Sequence, residues 1–307
     1  MHNTTCLNCY AFSADTGSSW AACNPLWKLD VNVPRFSDEP IRSQGRSDGA
    51  LDPSPARSCP SRYVLGMRVD GTSYRETAEV IADLVSTGDG GAVCVSTVHM
   101  VMEAFDDPGF QRIVNSADRV TPDGVPLVWA LRLLGVEKAE RVYGPSLLPM
   151  VCGLARERGL SVGFYGGSAE VLGELVRRMW KRFPGLEVSF AWAPPYRALI
   201  AEEDQKVIDG IESSGTSILF VGLGCPKQER WIADHRESLS CVMVGIGAAF
   251  DFHTGRKAQA PAWVQASGLE WLFRLCCEPR RLWRRYLYHN PRFLFHFVRQ
   301  LAREFSK

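Results

Sequence analysis

Between Tyr63 and Gly255 the chain alternates short apolar runs with segments in which apolar residues recur every three or four positions. The runs "YVLGMRV", "GAVCVSTV", "DRVTPDG", "LSVGFYGGS", "SILFVGLG" and "CVMVGIGAAF" have the length and density of buried strands. The segments "SYRETAEVIADLV" (with Ser73 at the capping position), "HMVMEAFDDPGFQRIVNSA", "VPLVWALRLLG", "AEVLGELVRRMWKRFPG" and "ERWIADHRESL" carry the helical period. Strand and helix alternate at least five times. That predicts βαβ units and a Rossmann-like, mostly parallel α/β sheet with helices on both faces.

Two ends depart from this pattern. Residues 1–61 are rich in Ser, Pro, Gly, Asp and Asn and keep no period of two or 3.6. Such a segment buries too little apolar surface to offset its ordering entropy, so a disordered or loosely attached extension is expected. A later translation start, for example at Met67, would also account for it. Residues 269–307 carry nine Lys/Arg against three Glu, interleaved with Trp271, Leu272, Phe273, Trp283, Tyr286, Phe293 and Phe295. A basic, aromatic-rich amphipathic stretch suits an anionic membrane surface, and guanidinium forks match phosphate. The alternative is a solvated face on a core helix. The expected division is therefore an extension (1–61), an α/β core (62–268) and a basic helical membrane-binding appendage (269–307).

Composition narrows the functional classes. At 307 residues there is room for a sizeable core, and a formal net charge of +1 offers no global support for nucleic-acid binding. Ten cysteines are scattered irregularly. Cys6 and Cys9 form a CxxC without a second ligand pair, and Cys94, Cys152 and Cys241 sit in apolar runs as small hydrophobes, so a reducing, cytosolic compartment is expected. No apolar run reaches the roughly 18 residues of a membrane-spanning helix.

The candidate chemistry lies where strands give way to helices. In "VGLGCPKQERWI", Gly222 and Gly224 permit close backbone approach, and Lys227 and Gln228 offer a charge and an amide. A tight strand–helix turn would use the same residues. "VGIGAAFDFHTG" presents Asp251 either to a base or ribose or as a cap, and His253 as a ligand or a structural histidine. Neither "GFYGGS" nor "FVGLGCPKQE" fits GxGxxG, which disfavours a nicotinamide cofactor. No D-x-D and no second histidine at ligand spacing appear, so neither a metal nor another cofactor is inferred. Asp123, between Pro122 and Gly124, is a turn residue, a cap or a base held over a cleft.

Six stretches, "TPDGVPLVWALRLLG", "RVYGP", "GFYGGS", "FVGLGCPKQERWI", "VGIGAAFDFHTG" and "GLEWLFRLCCEPRRLWRRY", occur in one order. In that order they resemble the WecG/TagA/CpsF glycosyltransferases, glycosyltransferase family 26, over roughly residues 62 to 305. The resemblance implies an inverting, metal-independent bacterial enzyme. It would move a sugar from a UDP-sugar to a polyprenyl-diphosphate-linked glycan acceptor in cell-surface polysaccharide synthesis. Its place would be the cytoplasm, peripheral on the inner face of the membrane. The resemblance makes Asp123 the catalytic base, although Thr121-Pro122 replaces the usual Asn-Ala before Asp-Gly. It places Thr97 near sugar and acceptor, Gln228 near sugar or diphosphate, and Asp251 and Tyr196 beside uracil. Arg274, Arg281 and Arg284 fit its appendage arginines best. It leaves the donor sugar among N-acetylmannosamine, its uronic acid and glucuronic acid, and allows a homo-oligomer. Two rivals are a UDP-sugar epimerase, which would need the missing nicotinamide fingerprint, and a non-catalytic assembly factor, which would tolerate loss of Asp123.

Overall fold

The computed structural model describes residues 59–306. Cys6, Cys9 and nearly all of the expected N-terminal extension lie outside the described residues. The run "YVLGMRV" forms a hairpin rather than the single strand expected: β1 (Ser61–Val64) pairs antiparallel with β2 (Met67–Asp70). Leu65 and Gly66, with φ of 51° and 86°, supply the two left-handed positions of a tight two-residue turn. A start at Met67 would remove β1.

Six further strands make one sheet: β3 (Gly91–Ser96), β4 (Arg119–Pro122), β5 (Val162–Gly166), β6 (Val188–Trp192), β7 (Ile218–Gly222) and β8 (Val242–Gly245). Their order is β4-β3-β8-β7-β5-β6, and every pairing is parallel. The core helices are α1 (Tyr74–Thr87), α2 (Val98–Asp106), α3 (Pro108–Asn115), α4 (Val125–Leu133), α5 (Gly144–Arg158), α6 (Ala169–Arg182), α7 (Ala201–Ser213), α8 (Lys227–His235) and α9 (Ala249–His253). Helices α1, α5, α6 and α9 bury Ile81, Leu147, Leu175 and Phe250 against one face of the sheet. Helices α2, α3, α4, α7 and α8 bury Val101, Phe110, Leu127, Ile211 and Ile232 against the other. The expected mixed α/β architecture, with helices on both faces of a parallel sheet, is thus present.

Local chemistry explains the boundaries. Ser73 caps α1 in a reciprocal capping box with Glu76. The stretch expected as one helix from His99 to Ala117 breaks at Asp107, whose Oδ1 accepts from the N–H groups of Gly109 (2.8 Å) and Phe110 (3.1 Å). Pro108 then opens α3.

Beyond the sheet, the chain runs through α10 (Ala262–Ala266), α11 (Glu270–Cys277), α12 (Pro279–Trp283), one π-helical turn (Arg284–Tyr288) and α13 (His289–Phe305). Helix α13 buries Phe293 and Phe297 in the core face that α2 helps form. It also grips the hairpin: Leu65 N–H donates to Gln300 Oε1 (2.9 Å), and Gln300 Nε2 donates to the Tyr63 carbonyl (2.7 Å). Among the described residues no helix is long and apolar enough to cross a membrane.

The topology locates the site. Adjacent strands β3 and β8 feed helices on opposite faces, α2 and α9. Connections that diverge in this way leave a crevice beyond the C-terminal ends of the strands.

Candidate active site

Asp123 follows β4, the edge strand, and its backbone is fixed before its side chain is considered. Its N–H donates to the Ser96 carbonyl (2.8 Å) at the end of β3, while Ser96 Oγ donates to the Thr121 carbonyl (2.7 Å). The next loop, "RVYGP", is fastened alongside, because Val142 N–H donates to the Pro122 carbonyl (2.9 Å). That fastening delivers Arg141. Its Nε donates to the Asp123 carbonyl, and its Nη2 reaches both Asp123 Oδ1 (3.3 Å) and Glu270 Oε2 (2.5 Å). The guanidinium also lies 4.4 Å from the centroid of the Tyr143 ring.

The electrostatics suit a proton acceptor. Burial is the largest influence on Asp123 and pushes its carboxyl up to about 6; Arg141 opposes this, Glu270 adds to it, and Arg274 opposes it. A carboxylate with that value is mostly ionised at neutral pH, yet basic enough to take a proton in a transition state.

The opposite wall belongs to the C-terminal segment. Thr97, which precedes α2, makes no side-chain cap; its Oγ1 instead accepts from Arg285 Nη2 at 3.3 Å. Arg285 Nε is buried without a hydrogen-bond partner. Burial is also the main reason that its pKa is depressed. A desolvated guanidinium with a spare N–H is poised for an anion. Arg274 lines the same crevice with its guanidinium 5.3 Å from the centroid of the Phe252 ring. The enclosed space is about 80 Å³. This is below the roughly 300 Å³ at which small-ligand pockets begin, so it has room for a reacting end and not for a whole nucleotide sugar.

The glycine loops stand further along the same rim. Three strand spacings separate β4 from β7, about 14 Å. Gly166 needs its glycine: with φ of 122°, a Cβ there would meet the Gly222 carbonyl oxygen at 2.6 Å. Gly224 is left-handed at φ 83°. Gln228 is 2% exposed and joins the two loops, its Oε1 accepting from Gly224 N–H (3.1 Å) and Gly247 N–H (3.0 Å) while its Nε2 donates to Glu229 (2.7 Å). Its amide is thereby committed to loop shape. Gln228→Leu leaves those two N–H groups unpaired and is expected to cost about 1–3 kcal/mol, read as a lowered thermal midpoint.

The crevice therefore brings together Asp123, Thr97 and Arg274 of the residues expected from sequence. Gly222, Gly224 and Gln228 form the neighbouring loop. Four others lie apart from the crevice lining: Asp251 pairs with Lys257, Tyr196 is fully exposed, Arg281 pairs with Glu278 on the surface, and Arg284 is exposed. Sequence reasoning missed Arg141, Glu270 and Arg285. The only available signal was the place of all three inside the quoted stretches, Arg141 in "RVYGP" and Glu270 and Arg285 in "GLEWLFRLCCEPRRLWRRY".

Comparison with known proteins places the chain in a family. The model of the glycosyl transferase WecG/TagA/CpsF family matches residues 62–307. An N-acetylglucosaminyldiphosphoundecaprenol N-acetyl-beta-D-mannosaminyltransferase from Bacillus spizizenii is 31% identical over 199 residues, covering 64% of this chain and 75% of the relative. A protein of the same name from Staphylococcus aureus is 27% identical over 224 residues, covering 72% of this chain and 86% of the relative. The chain belongs to the WecG/TagA/CpsF family of glycosyltransferases.

Proposed function

We propose that this glycosyltransferase moves an N-acetylmannosamine-type sugar or a related uronic acid from a UDP donor to a polyprenyl-diphosphate-linked glycan, with inversion. The observation that carries the reading is the opposition, across one crevice, of Asp123 with its raised pKa and the two arginines Arg274 and Arg285. The relatives' names supply the acceptor class and the preference for N-acetylmannosamine.

In this mechanism the acceptor hydroxyl gives its proton to Asp123 as its oxygen bonds to the anomeric carbon. The bond from that carbon to the UDP oxygen breaks on the opposite face, and its electron pair leaves with UDP. One displacement inverts the centre without a glycosyl-enzyme. Arg274 and Arg285 hold the charge that develops on the diphosphate. Arg141 orients Asp123 and is itself held by Glu270. The nucleoside extends along the rim to the loops that Gln228 joins, where backbone N–H groups and glycines allow close approach.

The segment after residue 268 then has two duties, completing the site and meeting the membrane. Helix α13 buries Phe293 and Phe297 but exposes Leu294, Phe295, Val298 and Phe305, with Arg299 and Arg303 nearby. An apolar outer face with basic neighbours fits an interfacial helix on an anionic leaflet. The acceptor would be met there, on the inner face of the cytoplasmic membrane.

The test is UDP release by the purified protein, offered a panel of UDP-sugars with a lipid-diphosphate glycan acceptor. Acceptor-dependent release from one donor is expected. No release from any donor with a competent acceptor overturns the reading.

A further inference from the structure

His99 and Glu103 lie one turn apart on α2, and His289, the first residue of α13, faces them. His99 Nε2 stands 3.4 Å from Glu103 Oε1, and His289 Nε2 stands 3.9 Å from the same oxygen. One ligand atom from each of the three residues falls within 4.8 Å of the other two. The two imidazoles meet edge to face, with centroids 5.2 Å apart. Their Nδ1 atoms are buried without hydrogen-bond partners, so no network holds the rings in place, and each ring has its polar contact at the Glu103 carboxylate.

We propose that His99, Glu103 and His289 form a binding site for a divalent transition ion of the zinc class, clasping the C-terminal segment to the core. Ligand atoms 2.0–2.1 Å from a tetrahedral zinc lie about 3.3 Å from one another. The observed separations need only a few tenths of an ångström to about 1.5 Å of closure, within the reach of side-chain torsions. Two imidazoles and one carboxylate form a donor set typical of zinc, with a fourth position left for water. Hard ions such as Mg²⁺ prefer all-oxygen shells and are poor occupants. Glu103 supplies a negative charge, and its side chain remains one-third exposed, leaving the ion a route in. No sequence spacing announces the site, because His289 lies on another helix, 186 positions from Glu103.

The position gives the ion a task. His289 follows the π-helical turn that carries Arg285, and His99 stands two residues after Thr97, to which Arg285 donates. An ion shared by α2 and α13 would pin that turn over the crevice. It would act on the fold and take no part in transfer itself, so its existence does not depend on the reaction proposed above.

The experiment uses the full chain, stripped of metal and titrated with Zn²⁺ against a chromophoric chelator, with Co²⁺ absorption to identify the ligands. One Zn²⁺ per chain is expected, together with a Co²⁺ spectrum free of thiolate charge-transfer bands. Zn²⁺ should raise the thermal midpoint of the parent. In Glu103→Gln, which preserves size, and in His289→Ala, affinity should fall by about 10-fold to 100-fold or more, and the zinc-dependent midpoint shift should shrink with it. Circular dichroism of the metal-free variants should match the parent. The proposal is overturned by absence of stoichiometric Zn²⁺ binding, by affinity in both variants unchanged from the parent's, or by thiolate bands that place the ion on cysteines such as Cys6 and Cys9.

Discussion

Asp123→Asn lowers acceptor-dependent UDP release by about 10²-fold to 10⁴-fold, the range for loss of a general base. The fold is expected to survive. Folding raises the Asp123 pKa from 3.8 to about 6, so the folded state binds the proton more tightly than the unfolded chain does. This group's contribution to stability is therefore largest at low pH, falls as pH rises from about 4 through 6, and is unfavourable at neutral pH. A neutral Asn removes that burden, and the thermal midpoint at pH 7 should equal or exceed the parent's. The same carboxyl sets the acid limb of kcat/KM, which should fall tenfold per pH unit below about 6. Arg141→Gln removes the chief opposing charge and strands Glu270 beside Asp123, moving the limb to higher pH. Glu270→Gln leaves Arg141 undivided for Asp123 and moves it lower. Opposite shifts in the two variants would tie the ionisation to Asp123; an unmoved limb in both would assign the base elsewhere.

Arg285→Ala should cost about 10²-fold to 10³-fold in kcat, the range for losing one preorganised donor to a developing anion. Its neighbour makes the control. Arg284→Ala, at an exposed position outside the crevice lining, should stay within severalfold when the acceptor is a short-chain, water-soluble diphosphate. The contrast depends on which arginine faces the diphosphate, since the two differ little in local charge. Equal losses would mean that the segment acts through its bulk charge. An equal loss with vesicle-bound acceptor alone would place Arg284 at the lipid.

That one-residue distinction shows where sequence reading runs out. The family resemblance selected Arg274, Arg281 and Arg284, and Arg274 does line the crevice. Between Trp283 and His289, however, the chain makes a π-helical turn. A wider turn changes the angular phase of the side chains that follow it, while Arg281, which precedes it, is separated from Arg274 by the break at Glu278, whose φ of −133° and ψ of 61° end α11. The position of Asp123 was legible, because a carboxylate between an apolar strand and an amphipathic helix falls on the C-terminal rim of a parallel sheet; the choice among turn residue, cap and base came from the family resemblance and not from the pattern. The alternation of strands and helices was legible for the same local reason. Arg141 was not, since what gives it meaning is Glu270, 129 positions further on. Helix α5 escaped notice because two prolines and two glycines blur its period, and edge strand β6 because it is only half buried. Gln228 was singled out for its amide, but no local pattern reveals that the amide is spent joining two loops.

Leu65 and Gln300 are bonded across 235 positions, and Thr97 and Arg285 across 188. During synthesis, at about 5–20 residues per second, the strand ends bearing Thr97 and Asp123 emerge well before the arginines that face them. A nascent chain can thus fold its sheet while its reaction centre is still unbuilt. On the proposed mechanism, catalytic competence would come only after the last helix has docked, so a translation product that ends before Arg274 would be silent in transfer.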